Sequence, residues 1–359
     1  MILIRYVLRQ FLATFFFTLI ALSVLFVIIH LFDNGLEKII DRNVSVGDAT
    51  MYYVTYLPFI LKLLLPVATL LAALFSVGRL ASSNELTAMS ASGLGATRFL
   101  APYVVIGLLV SGAQVYFNGW VVPQANALNK QIARTAFNEG SGGSLFNLYF
   151  RDVPTRNVYI EYYDQEVRTA RSVRIEEFGS VEHPRIQWRI EAAEMTWDTD
   201  AQAWIAEHAE RRVFVADSIE IHKLDAFAMP FTIHHDAIVR LQRGVDELTI
   251  DEVDDYIATL KAGGKDTRTQ EIDYYSAWAF PFSNVVIIFI AVPFASVRRR
   301  GGIAVNVAAA MVVAFGYIAF TEVSKAIGLA SDVSPAVIGW SANAVFLLAA
   351  LFAMRVLRR

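Results

Sequence analysis

Six apolar runs, each long enough to cross a bilayer, restrict what this chain can fold into. They cover residues 11–32, 53–78, 100–122, 276–297, 303–323 and 335–354. At about 1.5 Å per helical residue, each reaches across roughly 30 Å of hydrocarbon. Tyrosines and tryptophans cluster at their ends: Tyr52, Tyr53 and Tyr56; Tyr116 and Trp120; Tyr274, Tyr275 and Trp278; and Trp340. Such amphipathic rings favour the headgroup region. Composition agrees, with 55% hydrophobic residues, 18% charged and a mean hydropathy of +0.45. Soluble chains carry nearer a quarter charged. The first run follows Arg5 and Arg9, but it is longer than a secretory signal core and no small-residue cleavage site follows it. It is expected to be a retained span.

The charges divide the chain into three parts. Residues 124–270 hold 25 acids and 17 bases, against 9 acids and 14 bases elsewhere. The expected organisation is residues 1–123 with spans one to three, a soluble insert over 124–270, and residues 271–359 with spans four to six. Arg5, Arg9, Arg79, Arg98, Arg298, Arg299, Arg300, Arg355, Arg358 and Arg359 all fall on one side, with Glu85 as the one acid. The opposite short loops hold Lys38, Arg42 and Lys325 among six acids. Basic loops stay in the cytoplasm, so both termini are expected there and the insert outside.

The insert has the pattern of a β-domain. NVYIEYY (157–163), RIQWRIEAAEMTW (185–197), RRVFVA (211–216) and SIEIHK (218–223) are rich in Val, Ile, Tyr and Trp. Several alternate apolar and polar residues, as half-buried strands do. DTDAQ (198–202) is a turn. The expectation is eight or more strands in a sandwich or jelly roll. A closing helix over about 250–262 is capped by Thr249 and Glu252. It presents Val253, Tyr256, Ile257 and Leu260 on one face and stops at Gly263-Gly264.

No catalytic motif is present. The absence of cysteine excludes disulfides and thiolate sites. GGKDT (263–267) lacks the first glycine and the Ser/Thr of a phosphate loop, so it reads as a helix end. His234-His235 and the insert's scattered acids have no ligand spacing, and no metal site is expected. Ionisable residues within spans are costly in lipid and tend to face a cavity. Lys62, between Pro58 and Pro66, is either a lysine snorkelling to the headgroups or a cation meeting an anionic substrate. His30 is a weaker candidate of the same kind, and Glu322 reads as interfacial.

Between spans two and three lies LASSNELTAMSASGL (80–94), a helix expected over about 82–93. Ser82 and Glu85 have capping-box spacing, Leu86 and Met89 share a face, and Gly93 supplies a stop. A helix that binds lipid surfaces has a larger apolar moment and more lysine on its polar face. Small capped helices instead suit a groove on another protein. On the cytoplasmic side of a six-span chain without its own nucleotide site, the expected partner is an ATPase.

This pattern resembles the LptF/LptG (YjgP/YjgQ) lipopolysaccharide-export permeases over the whole chain. The resemblance rests on the three-plus-three spans, the external β-domain, and the run from Arg79 through Asn84, Glu85, Leu86 and Met89 to Ser92 and Gly93. WVVPQAN (120–126) and GGSL (142–145) also match. It implies an α-helical membrane protein of six transmembrane helices with an inserted periplasmic all-β jelly-roll-like domain, in the bacterial inner membrane. It also implies a non-catalytic permease subunit without a bound cofactor, paired with a homologous permease. A cytoplasmic ABC ATPase dimer would use the ATP and dock on Glu85, Leu86 and Met89. Lipopolysaccharide would enter a cavity between the paired span sets and pass to a periplasmic bridge, where a single-span protein of similar β-fold stands next.

Candidate substrate contacts are Lys62, His30, Lys38, Lys130 and Arg134. The external end of span one departs from the lysine-rich pattern of one family branch, since HLFDNGLEKIIDR (30–42) mixes acids with Lys38 and Arg42. Length and the SDVSPAVIG turn (331–339) lean toward the G-like branch. No nucleic-acid partner is expected. Two other functions fit the residues: export of another lipid or lipoprotein, and a non-transporting transducer that relays ATPase state to envelope enzymes.

Overall fold

The computed structural model describes residues 2–93, 95–137, 144–164, 167–179, 185–215, 218–229, 238, 244–262, 265–296 and 302–357. The chain divides into two compact units, Met1–Asn129 with Glu271–Arg359, and Lys130–Gln270.

The first unit is helical because hydrocarbon offers no partner for a backbone amide. Helix α1 (Ile2–His30) passes through a π-helical turn, Leu31–Gly35, into α2 (Leu36–Asp41). Helix α3 (Val46–Ser82) starts at Ser45, whose hydroxyl accepts the Asp48 amide at 3.1 Å. Its 37 residues extend about 55 Å, well beyond the hydrocarbon. A short α4 (Glu85–Ala91) leads to α5 (Ala96–Tyr116), which continues through a second π-helical turn, Phe117–Val121, into α6 (Val122–Thr135).

Among the described residues six helical stretches are long and apolar enough to span a membrane, in the expected places. They outrun the apolar runs at most ends because interfacial residues continue the helices. The most apolar stretch of span two is 61% buried and that of span five only 11%, so span two lies at the centre of this unit. Small residues let backbones approach, as is usual between membrane helices. A side chain at Gly107 would strike Ile288, and one at Gly339 would strike the backbone at Tyr275 and Ser276.

The second unit carries one antiparallel sheet: β1 (Ser144–Val153), β2 (Arg156–Asp164), β3 (Thr169–Phe178), β4 (Ile186–Asp198), β5 (Ala203–Val215) and β6 (Ser218–Ala228). The order is β1-β2-β3-β4-β5-β6, each strand beside its sequence neighbour. The all-β insert is as expected. Against the eight or more strands expected, six lie among the described residues, and they form an up-and-down meander without the crossover of a jelly roll. Strands β1 and β3 extend the set the sequence singles out. In β3 the buried Ala170, Val173 and Ile175 sit among Arg171, Arg174, Glu176 and Glu177, which mask the alternation.

One face of the sheet is apolar, with Val158, Ile160, Ile175, Ile190, Trp204 and Ala206 buried. The other is laced by cross-strand ion pairs, such as Arg189–Glu176 at 2.7 Å and Arg171–Glu194 at 3.3 Å. Helix α7 (Ile250–Ala262) has the expected capping box: the Thr249 amide donates to Glu252 at 2.8 Å and the Glu252 amide to the Thr249 hydroxyl at 3.4 Å. Val253, Ile257 and Leu260 are buried. Its expected glycine stop lies outside the described residues, as do His234-His235, Arg298–Arg300 and Arg358-Arg359.

Span four is not one helix. Helix α8 (Arg268–Ala279) gives way to a 3-10 turn, Phe280–Phe282, before α9 (Ser283–Ser296). Pro281 has no amide hydrogen, so the helical ladder stops there. Helices α10 (Gly302–Leu329) and α11 (Pro335–Leu357) complete the unit.

Candidate functional site

The segment between spans two and three is helical, but its cap differs from the expected one. Ser82 is the last residue of α3, and its hydroxyl donates back to the Arg79 carbonyl at 2.9 Å. The chain reverses at Asn84, which adopts the left-handed conformation (φ 61°, ψ 8°) open to asparagine at modest cost. The helix therefore spans Glu85–Ala91 rather than 82–93. Ser83, not Ser82, bonds Glu85, donating its hydroxyl at 2.8 Å. The Tyr6 phenol of α1 also lies beside the Glu85 carboxylate, with Arg79 in electrostatic range of that phenol. At the far end the Gly93 amide donates to Ser90 O at 3.0 Å, with φ at +86°, so the glycine stop is as expected.

Leu86 and Met89 are half-buried and pack against the apolar core of spans one to four. They fasten α4 to its own membrane unit. The exposed residues are Thr87, Ala88, Ser90, Ala91 and Ser92, a small uncharged face with Glu85 half-exposed at its edge.

The substrate-contact candidates fall into separate groups. His30 ends α1 inside a cluster of aromatic rings from α3. Its ring centroid is 4.6 Å from Tyr56 and 5.7 Å from Tyr53, and its Nδ1 is 3.4 Å from the Tyr53 hydroxyl. The Tyr53 hydroxyl also fills the place a side chain at position 35 would take, so a larger residue at that point of the π-helical turn would have to push the tyrosine aside. Lys38 is exposed on α2. Lys62 is half-buried on α3, nine residues past Tyr53 and therefore about 14 Å further along the helix.

Lys130 is engaged by acids: Nζ lies 2.9 Å from Glu247 Oε1 and 3.0 Å from Asp246 Oδ2. Glu247 is 5% exposed and also accepts the Gly244 amide at 3.1 Å. Arg134 is half-buried in the last turn of α6. Two residues that bear on these groups escape a sequence reading. Tyr6 is one of many aromatics, and nothing local marks it as the partner of Glu85. Tyr53 reads as part of an interfacial belt, although the nearby glycine could have signalled a close approach.

A family model described as "Lipopolysaccharide export system permease LptF/LptG" matches residues 5–356. The chain belongs to the LptF/LptG family. It is accordingly a multi-pass inner membrane protein and a transporter component. Among curated proteins, the lipopolysaccharide export system permease protein LptG of Escherichia coli strain K12 is 24% identical over 302 residues, covering 80% of this chain and 81% of that protein. LptG of Haemophilus influenzae is 21% identical over 304 residues, covering 81% of this chain and 80% of that protein.

Proposed function

We propose that the chain is a permease subunit of an ATP-driven lipopolysaccharide exporter and, within its family, G-like. The family match over residues 5–356 carries this reading, and the similarity to LptG proteins supports the branch. The subunit pairs with a homologous permease, and a cytoplasmic ABC ATPase dimer binds α4. This chain holds no cofactor, and ATP is used by the ATPase. Both termini lie in the cytoplasm and residues 130–270 in the periplasm. There the β-domain hands lipid to a single-span bridge protein of similar β-fold.

In mechanism, the ATPase grips the exposed edge of α4, while Leu86 and Met89 carry its movement into the core of spans one to four. Lys62 and His30, with Lys38 and Arg134, meet lipid phosphates near the outer leaflet, where low dielectric strengthens charge pairing. Lys130 differs, since Asp246 and Glu247 already hold its ammonium and give it a fastening role. No observation favours the transducer or an exporter of another lipid.

The deciding experiment purifies the chain from its native membrane and identifies bound lipids and proteins by mass spectrometry. Lipopolysaccharide, a second permease and an ATPase are expected together. Recovery of proteins alone, with no lipopolysaccharide even when ATP hydrolysis is blocked, would favour the transducer.

A further inference from the structure

Helix α3 of span two holds Pro58 and Pro66 within it, span four breaks at Pro281, and one buried polar cluster joins Pro66 to that break. Pro66 in α3 cannot donate to the carbonyl four residues back, which leaves the Lys62 carbonyl without its helical partner. Gln114 of α5 supplies one, donating Nε2 to Lys62 O at 3.1 Å. The Gln114 Oε1 in turn accepts Asn284 Nδ2 of α9 at 2.6 Å. The same Asn284 Nδ2 donates to Pro281 O, in the span-four break, at 2.7 Å. Asn284 Oδ1 shares the Thr69 hydroxyl of α3, at 2.8 Å, with the Leu65 carbonyl at 2.9 Å, and Ser111 of α5 donates to Pro281 O at 2.8 Å.

Thr69, Ser111, Gln114 and Asn284 are all buried, none exposed above 1%. The donors and acceptors also fix the amide orientations. Flipping Asn284 would turn its oxygen toward two acceptors, Gln114 Oε1 and Pro281 O. A satisfied network of this kind, in a low-dielectric interior, defines one arrangement of its helices.

We infer that Gln114 and Asn284 are positioning residues that keep α3 rigid across its Pro66 break. A proline within a helix is a place to bend. Helix α3 runs from Ser45 to α4, so a bend at Pro66 would absorb movement delivered at α4 before it reached Lys62 and Tyr53. Gln114 replaces the missing backbone bond, and Asn284 ties that substitute to span four. Spans two, three and four then move as one body. This inference rests on the transport reading above.

The test uses the assembled transporter, reconstituted with its ATPase and lipopolysaccharide. Gln114→Leu removes the substitute bond while Asn284 keeps Thr69 and Pro281 O. ATP turnover should continue, and lipid release per ATP should fall roughly threefold or more, as disruption of a coupling network commonly does. Adding Pro66→Ala restores a backbone donor to Lys62 O and should recover most of that release. A residue that merely fills space would not be rescued in this way.

The chain has no cysteine, so Thr50→Cys and Ser82→Cys, both at exposed positions on α3, can carry spin labels without background. Their separation of about 48 Å suits pulsed resonance. The distance distribution should be narrow in the parent, broad with Gln114→Leu, and narrow again with Pro66→Ala added. Unchanged distances and release in Gln114→Leu, or no recovery in the double variant, overturns the inference. If Gln114→Leu alone fails to assemble, the double variant decides: assembly with release supports the pin, and continued failure refutes it. If the parent releases no lipid, the transport reading fails, and the distances still judge the rigidity of α3.

Discussion

Glu85 offers the sharpest test, because a local role and a coupling role predict different responses to a single atom. The carboxylate accepts the Ser83 hydroxyl at 2.8 Å and lies beside the Tyr6 phenol of α1. A net hydrogen bond stabilises by about 0.5–1.5 kcal/mol, so losing the Ser83 bond in Glu85→Ala loosens α4 by roughly that much. A seven-residue helix has little stability of its own, and the packing of Leu86 and Met89 holds what remains. Glu85→Gln keeps an amide oxygen for the Ser83 hydroxyl and removes only the charge. If Glu85 is a local anchor, Glu85→Gln behaves as the parent. If it pairs with a cation on the ATPase in a partly desolvated contact, losing the charge costs about 2–5 kcal/mol. That corresponds to a roughly thirtyfold or larger rise in the dissociation constant.

The assay is ATPase binding and lipid-stimulated ATP turnover in reconstituted membranes, for Glu85→Gln, Glu85→Ala and Tyr6→Phe. The coupling role predicts that both Glu85 variants lose binding or turnover while Tyr6→Phe stays close to the parent. Parent-like binding and turnover in Glu85→Gln would refute it and leave Glu85 as the anchor of α4 to α1.

Three further outcomes are expected. Lys62→Glu should impair lipid export much more than Lys62→Gln; equal and negligible effects return Lys62 to a snorkelling lysine. Lys130→Met should destabilise residues 130–270 by about 3 kcal/mol, because it strands the buried Glu247 carboxylate. Asp246→Ala should cost about 1 kcal/mol or less, since that side chain is 53% exposed. Thermal unfolding and hydrogen exchange at residues 244–248 measure both, and equal effects would contradict the assigned roles. Single cysteines at residues 150 and 300 should label from the periplasmic and cytoplasmic sides respectively, and the reverse pattern overturns the orientation.

The sequence by itself determined the spans, the β-character of the insert, the Thr249–Glu252 cap and the family. Each follows from local rules. An apolar run of 22 residues has few alternatives to a membrane helix, and alternation in NVYIEYY needs only its own strand to be seen. Tertiary structure decided what depends on distant partners. Ser82 and Ser83 both had suitable hydroxyls, and the point where α3 ends selected Ser83. Leu86 and Met89 share a face in any helix, but only packing shows that face turned toward the protein's own core. Lys130 reads as a free cation until the fold brings Glu247 beside it from 117 residues away. Gln114 and Asn284 lie 170 residues apart, and neither span hints at the other. A hydrogen bond acts over about 3 Å in space and is blind to separation along the chain, so such pairings exist only once the helices have met.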